Sequence, residues 1–258
     1  MSVLVRSAAA VAAVGLLAAC TSSGSSGAPS TGAAPSSTAA TTSSAAATTS
    51  SAAPTTSAPA GGPSTATLKS IVVQQSDLPS GWTGTPAPAE STHDKDVDAQ
   101  LAACVGSSDA GEQDQIQQVM SDDFHSGQST VSSDASSYRS ESDVRSQVAQ
   151  LKNPKAQGCL SSLFRKEIAA SLPAGSTIKN IAIRLSTADT GIANLIGTAN
   201  GRITVAAQGR QVTVYIGAGF FIGNRITGQV TFTSIGTPIS SAFANPVVKA
   251  VAARAANA

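Results

Sequence analysis

The chain has 258 residues, with 16 lysines and arginines against 15 aspartates and glutamates and a formal net charge of +1. A balance this close to neutral argues against binding to nucleic acid or to an anionic membrane surface through charge. Aromatic residues make up only 3% of the sequence, so a hydrophobic core must be built mainly from Val, Ile, Leu and Ala.

The N-terminus carries one basic residue, Arg6, which is followed by an apolar run from Ala8 to Ala19. This is the pattern of a secretory signal peptide, and the run is too short to cross a bilayer, which takes about 20 apolar residues. We therefore expect residues 1–19 to be a signal peptide. Ordinary cleavage at this point would leave Cys20 with an unmodified thiol.

The segment Leu17-Ala18-Ala19-Cys20 resembles the lipobox of bacterial lipoproteins. In that family the cysteine receives a diacylglycerol, with acyl chains such as palmitate, and the chain is cut just before it. Stable retention takes two or more acyl chains. The resemblance thus implies lipidation of Cys20 and a protein anchored at the outer face of the cytoplasmic membrane.

Residues 21–66 are almost entirely Ala, Ser, Thr, Pro and Gly, and no charge occurs before Lys69. Such a composition cannot bury enough apolar surface to offset the ordering of the chain, so we expect residues 20–66 to form a disordered tether that reaches roughly 40 Å. The Ser and Thr residues are equally compatible with O-glycosylation and with a bare spacer. Residues 67–258 have the length of one domain.

The first half of this domain mixes predicted helices with polar segments. The spacing of apolar residues predicts helices over 68–78, 94–105 and 144–172, the last of which restarts at Asn153-Pro154. Residues 128–138 predict a Ser-rich and partly exposed strand.

The segment 106–126 is polar and acidic. It contains four carboxylates and a histidine: Glu112, Asp114, Asp122, Asp123 and His125. These side chains could coordinate a metal, but no second cluster at metal-ligand spacing accompanies them. We interpret the segment as a solvated loop and predict no metal site and no cofactor.

Cys104 and Cys159 both lie on the inward face of a predicted helix. In an exported protein two such cysteines are expected to form a disulfide, and closing a loop of about 55 residues would stabilise the fold by about 4 kcal/mol. A catalytic thiol would instead need a nearby base, for which the sequence offers only His93 and His125.

The C-terminal part is rich in alternating apolar residues. Four further strands are predicted, over 178–186, 197–207, 211–222 and 226–234. Short turns at Gly209-Arg210 and Gly223-Asn224 require antiparallel pairing. A final helix is capped at Thr237-Pro238 and interrupted at Asn245-Pro246. The predicted fold is therefore α+β, an antiparallel sheet of about five strands with helices packed on one face.

The run Gly217-Ala218-Gly219-Phe220-Phe221-Ile222-Gly223 departs from a dinucleotide loop, because its last glycine falls one place late and a hairpin follows instead of a helix. Its glycines indicate instead that something packs close to the backbone, either a helix of the same domain or a ligand. Gly217 and Gly219 could thus border a groove, or helices could fill that space completely. No catalytic motif is present, so we assign no catalytic residue.

The order of these features resembles a known group. The features are Asp77-Leu78-Pro79-Ser80-Gly81-Trp82, Cys104 at a helix end, a Ser-rich strand, Cys159 in a helix and the closing hairpins. Together they resemble a family of uncharacterised actinobacterial, mycobacterial-type secreted lipoproteins. More distantly they are similar to the extracellular sensor domains of actinobacterial serine/threonine kinases and to PsbP-like lipoproteins. The resemblance implies an extracytoplasmic domain and assigns no reaction.

These observations predict a membrane-anchored envelope lipoprotein with a non-enzymatic domain that binds or senses a small apolar ligand or another envelope protein. An interaction scaffold, with an exposed apolar patch and no pocket, is the alternative. A hydrolase is the third reading. It would require His93 or His125 beside a buried carboxylate and a Ser or Cys nucleophile.

Overall fold

The computed structural model describes residues 61–87, 92–106, 115–172, 174–187 and 189–258. The predicted signal peptide, Cys20 and the tether as far as residue 60 lie outside these ranges, as does the acidic segment 107–114. Within them, no helix is both long enough and apolar enough to cross a bilayer.

The described residues form five α-helices and one short 3-10 helix. The α-helices are α1 (Thr65–Ile71), α2 (Thr92–Val105), α3 (Glu141–Leu151), α4 (Ala156–Ser171) and α5 (Ser241–Ala256), and the 3-10 helix is Gln75–Asp77. Serine begins three of them, because the hydroxyls of Ser64, Ser140 and Ser240 accept hydrogen bonds from backbone N–H groups that the first helical turn leaves unpaired. Helix α5 runs through Pro246 without the predicted interruption.

The described residues also form one antiparallel sheet of eight strands, more than the five predicted. The strands are β1 (Thr83–Thr85), β2 (Gln115–Met120), β3 (Asp123–Ser126), β4 (Ser129–Tyr138), β5 (Thr177–Ser186), β6 (Leu195–Ala207), β7 (Arg210–Gly223) and β8 (Ile226–Ile235). Their order is β1-β3-β4-β8-β7-β6-β5, and β2 also pairs with β4. Consecutive hairpins join β5 to β8, as the alternation of apolar residues predicted.

Strands β2 and β3 replace part of the loop predicted for residues 106–126. They follow one another along the same edge of β4 and are separated at Ser121. The N–H of Ser121 donates to the Ser133 carbonyl at 2.8 Å, and the Ser121 hydroxyl accepts from the Ser133 N–H at 2.9 Å. The Ser121 side chain thus bridges the break between β2 and β3. The polar composition of this segment alone had indicated a loop.

Helices pack on both faces of the sheet, not on one as predicted. Strand β7 shows this directly, because Phe220 packs with the core under α2 and α4 whereas Phe221 packs with the core under α1 and α5. Successive side chains on a strand point to opposite faces. Both phenylalanines are buried, so β7 is a central strand covered on its two sides.

The predicted disulfide between Cys104 and Cys159 is confirmed. It joins the end of α2 to the first turns of α4, with a Cα–Cα distance of 5.8 Å. The Asn153 side chain donates to the Val105 carbonyl at 2.9 Å and so caps the end of α2 on the same side.

Helix α5 is fastened at both ends. Near its start, the Phe243 ring stacks on Trp82 with centroids 5.1 Å apart and meets Phe232 edge-on at 6.1 Å. In its last turn, the Arg254 guanidinium donates to both carboxylate oxygens of Asp77, at 2.8 and 2.7 Å. These contacts place the N-terminal half of α5 over β7 and β8, and no other described element covers the neighbouring part of that sheet face.

Candidate ligand-binding groove

A groove of about 600 Å³ lies where the N-terminal half of α5 crosses the sheet. We call it the α5 groove. Its floor is the face of β5 to β8 on the α5 side, and its far wall is formed by Pro238, Ile239, Ala244 and Val248. The helix covers the β7 and β8 side of this floor, and the described residues leave the β5 and β6 side open.

The strand register arranges the floor in two rows that run across the sheet. The first row contains, from β5 to β8, Arg184, Asn200, Gly217 and Phe232. The second row contains Ala182, Arg202, Tyr215 and Ser234. Each row is therefore cationic or polar on the open side of the groove, and the first becomes apolar beside α5.

Gly217 forms the low point of the floor. A Cβ atom at this position would lie 3.8 Å from Phe232 Cβ and 3.9 Å from Asn200 Oδ1, which is ordinary contact distance. The glycine thus leaves room for a side chain between Asn200 and Phe232. A side chain there would enter the α5 groove.

Gly219 has a different role, although it borders the same groove. A Cβ atom at this position would approach Val248 Cγ1 to 3.0 Å and Leu195 Cδ1 to 3.2 Å. The close neighbour is therefore helix α5 itself. Of the two glycines that the sequence indicated, Gly219 lets the helix pack and Gly217 leaves the space open.

The charge of the α5 groove comes from Arg184 and Arg202, which are both exposed. Within the described residues, neither arginine forms an ion pair. No described residue that lines the groove is Asp, Glu, His or Cys. As far as the described residues go, the open side of the groove consequently carries a positive charge without a counter-ion.

The arginines were missed by the sequence analysis. They are 18 positions apart, and only the pairing of Ala182 with Arg202 and of Arg184 with Asn200 brings them to adjacent places on one face. The alternation of polar and apolar residues along β5 and β6 does indicate that Arg184 and Arg202 point away from the face that carries Ile183 and Ile203. The face that each strand presents, however, follows from the assembled sheet.

The histidine candidates lie away from this groove. His125 is on β3, near the opposite edge of the sheet, where its Nδ1 contacts the Thr130 hydroxyl at 3.1 Å and its Nε2 the Thr85 hydroxyl at 3.2 Å. Burial raises the pKa of the Asp123 carboxyl, an effect that the charge of His125 opposes and that of Asp122 supports. Among the described residues no group of three or more His, Cys, Asp or Glu side chains comes together. The side chain of His93, like Glu112 and Asp114, falls outside the described part.

A buried polar row occupies β8 on the face opposite the α5 groove. The side chains of Gln229, Thr231 and Thr233 are at most 2% exposed, and their polar atoms have no hydrogen-bond partner among the described residues. The row does not line the α5 groove.

The chain matches no protein-family model and no curated protein. Among solved structures it has a distant similarity to the extracellular domain of PknH from Mycobacterium tuberculosis, with 9% sequence identity and a TM-score of 0.31 over 74% of this chain and 96% of that one. A likeness at this level transfers neither a site nor an activity to the present chain.

Proposed function

We propose that this protein is a lipid-anchored envelope protein whose folded domain binds a small ligand, without catalysis, in the α5 groove. The observation that carries the proposal is the space above Gly217. It lies at the centre of a groove whose volume of about 600 Å³ is in the usual range of small-molecule sites.

The chemistry of the lining favours binding over catalysis. Ligand sites are mostly apolar with a few placed polar groups, as here, where Phe232, Ile239 and Val248 face Asn200 and the arginines. General acid–base catalysis uses most often a histidine or a carboxylate within hydrogen-bond reach of the substrate. The described lining supplies neither.

The scaffold alternative has less support. It depends on an apolar patch at the surface. In the part of the chain that the structure describes, Ile116 is the one large hydrophobic residue that is exposed, at 41%. A single side chain of this kind is ordinary for a protein surface.

Filling the space above Gly217 tests the binding site. We expect Gly217→Leu to place its side chain in the α5 groove and to weaken ligand binding about tenfold or more, which corresponds to at least 1.4 kcal/mol. The fold should be kept, because a Cβ atom is accommodated at this position and leucine suits a strand better than glycine. The measurement is native mass spectrometry of the mature protein purified from its own envelope, which reports any bound mass directly.

Gly201→Ala is the matched control. The backbone of Gly201 borders the groove, but a Cβ atom at this position would meet Ile183 and Ile216 at 3.6 Å on the opposite face of the sheet. Its bound mass should equal that of the unchanged protein. A Gly217→Leu variant that folds and retains its full ligand load would contradict the assignment of the groove.

The anchor is tested separately at Cys20. We expect Cys20→Ala to remove the acyl mass from the mature protein and to shift it from the membrane fraction to the soluble fraction, because lipid is the proposed means of attachment. Fractionation with mass analysis of both forms measures this. If the variant stayed in the membrane fraction, a different anchor would have to hold the protein.

A further inference from the structure

We propose that the α5 groove takes an anionic amphiphile, a molecule with a phosphate or carboxylate group at one end and an apolar chain at the other. This inference rests on the proposed function of the groove and specifies its ligand. Arg184 and Arg202 would hold the anionic group, and the wall beside α5 would hold the chain.

The placement of the two arginines fits one anion. Ala182 pairs with Arg202 and Arg184 pairs with Asn200, so the arginines are diagonal neighbours on the same face of β5 and β6. Diagonal neighbours on adjacent strands lie about 7–8 Å apart at Cα, which is within reach of long side chains. Guanidinium groups bind phosphate or carboxylate oxygens through paired hydrogen bonds, so both can converge on one group.

The charge balance of the site favours this occupant. Two like charges held within a few ångströms of each other repel. Neither arginine has a counter-ion among the described residues, and the described lining holds no carboxylate. A bound anion would supply the missing charge, and Asn200 and Tyr215 lie beside the arginines as neutral hydrogen-bonding groups.

The groove offers the hydrocarbon chain of the ligand a continuous path that leads away from the arginines. From Arg184 on β5, the row crosses Asn200 and the space above Gly217 and ends at Phe232 on β8. Three inter-strand spacings make this path about 14 Å long. It ends at the wall formed by Ile239 and Val248, where a hydrocarbon chain would be removed from water. A compact inorganic anion would leave this half of the groove empty.

The test compares three ligands on the full mature protein by titration calorimetry: dodecyl phosphate, the neutral monolaurin with an acyl chain of the same length, and inorganic phosphate. The amphiphiles are kept below their micellar concentrations. We expect dodecyl phosphate to bind about tenfold or more tightly than either other ligand, because only dodecyl phosphate offers both an anionic group to the arginines and a hydrocarbon chain to the apolar wall. The combined change Arg184→Gln and Arg202→Gln should abolish this preference and leave monolaurin binding unchanged.

Arg210→Gln is the matched control, because Arg210 is an exposed arginine at the start of β7, on the same sheet but outside the groove. It should leave all three affinities as they were. Equal binding of dodecyl phosphate and monolaurin, with both lost in Gly217→Leu, would overturn the anionic assignment while the proposed binding function stands. Equal binding of dodecyl phosphate and inorganic phosphate would overturn the amphiphile. Ligand binding that none of these substitutions alters would overturn both proposals.

Discussion

Replacing Cys104 and Cys159 together by alanine is expected to lower the free energy of unfolding by about 4 kcal/mol. The bridge joins positions 55 residues apart, and its main effect is to restrict the unfolded chain. It also fastens α2 to α4, where Leu101 and Val105 contribute the apolar contacts of α2. Denaturant titration of the double variant and of the unchanged protein measures the difference.

Reduction provides the control for this prediction. A thiol reductant should lower the stability of the unchanged protein by a similar amount and should leave the double alanine variant unaffected. The variant removes both thiols, so a buried unpaired sulfur does not complicate the comparison. A stability change under about 1 kcal/mol would show that α2 is held by packing, and that the chain-entropy account fails here.

Arg254→Met is expected to lower the free energy of unfolding by about 3 kcal/mol. The Asp77 side chain is only 9% exposed, so removal of the guanidinium leaves a poorly solvated carboxylate without a counter-ion, although the Gln74 N–H still donates to it at 2.8 Å. The carbonyls of Ile71 and Val72 at the end of α1 also lose the hydrogen bonds that Arg254 donates to them at 3.2 and 3.0 Å, and Val72 then keeps only the one from the Gln74 side-chain amide. Arg254 is itself 29% exposed, which places the expected loss at the lower end of the range for buried pairs.

Arg145→Met is the matched control for Arg254. The Arg145–Glu141 pair has a distance of 3.4 Å, and its side chains are 73% and 66% exposed, so its loss should change stability by less than about 0.5 kcal/mol. Arg254→Lys keeps the charge but cannot form the fork to Asp77, so an intermediate loss is expected. Equal effects of Arg254→Met and Arg145→Met would contradict the role of Arg254 as the fastening of α5.

The hairpins of the C-terminal half were predictable because each strand carries its own signal. The alternating residues placed β5 to β8 within about two residues of their observed ends. The turns moved by one residue, to Gln208-Gly209 and Asn224-Arg225, and positive φ angles at both residues of the first turn account for its position. Local pattern was sufficient wherever neighbours in sequence are also neighbours in space.

The short strands of the N-terminal half were not predictable in the same way. Strand β2 offers Gln115, Gln117 and Gln118 and few apolar residues, so it becomes a strand only because β4 supplies an edge. The helix layer on the second face was also missed, although the adjacent Phe220 and Phe221 are the pattern of a strand buried on both sides. Strand β2 and the second helix layer both depend on contacts between segments that are distant in sequence.

The residues of the candidate site also differ in how far the sequence alone could predict them. Gly217 was identified from its own sequence context, because a glycine inside a strand indicates a close approach or an open space. Arg184 and Arg202 belong to different hairpin strands, and their meeting depends on register. Charge pattern along the chain therefore cannot reveal the cationic end of the groove.

The pairing of β4 with β8 sets the order in which the chain can fold. Ser129 pairs with Ser234, 105 positions later, whereas β5 to β8 pair with their immediate successors. Contacts between distant segments form slowly, so the hairpins should assemble first, and the edge of β4 that does not pair with β2 and β3 must wait for the last strand. An unpaired strand edge can cause aggregation. Six of the ten residues of β4 are Ser or Thr, which makes this strand less hydrophobic and so less prone to aggregate. We therefore expect the serines that made this strand resemble a surface strand to help keep the partly folded chain in solution.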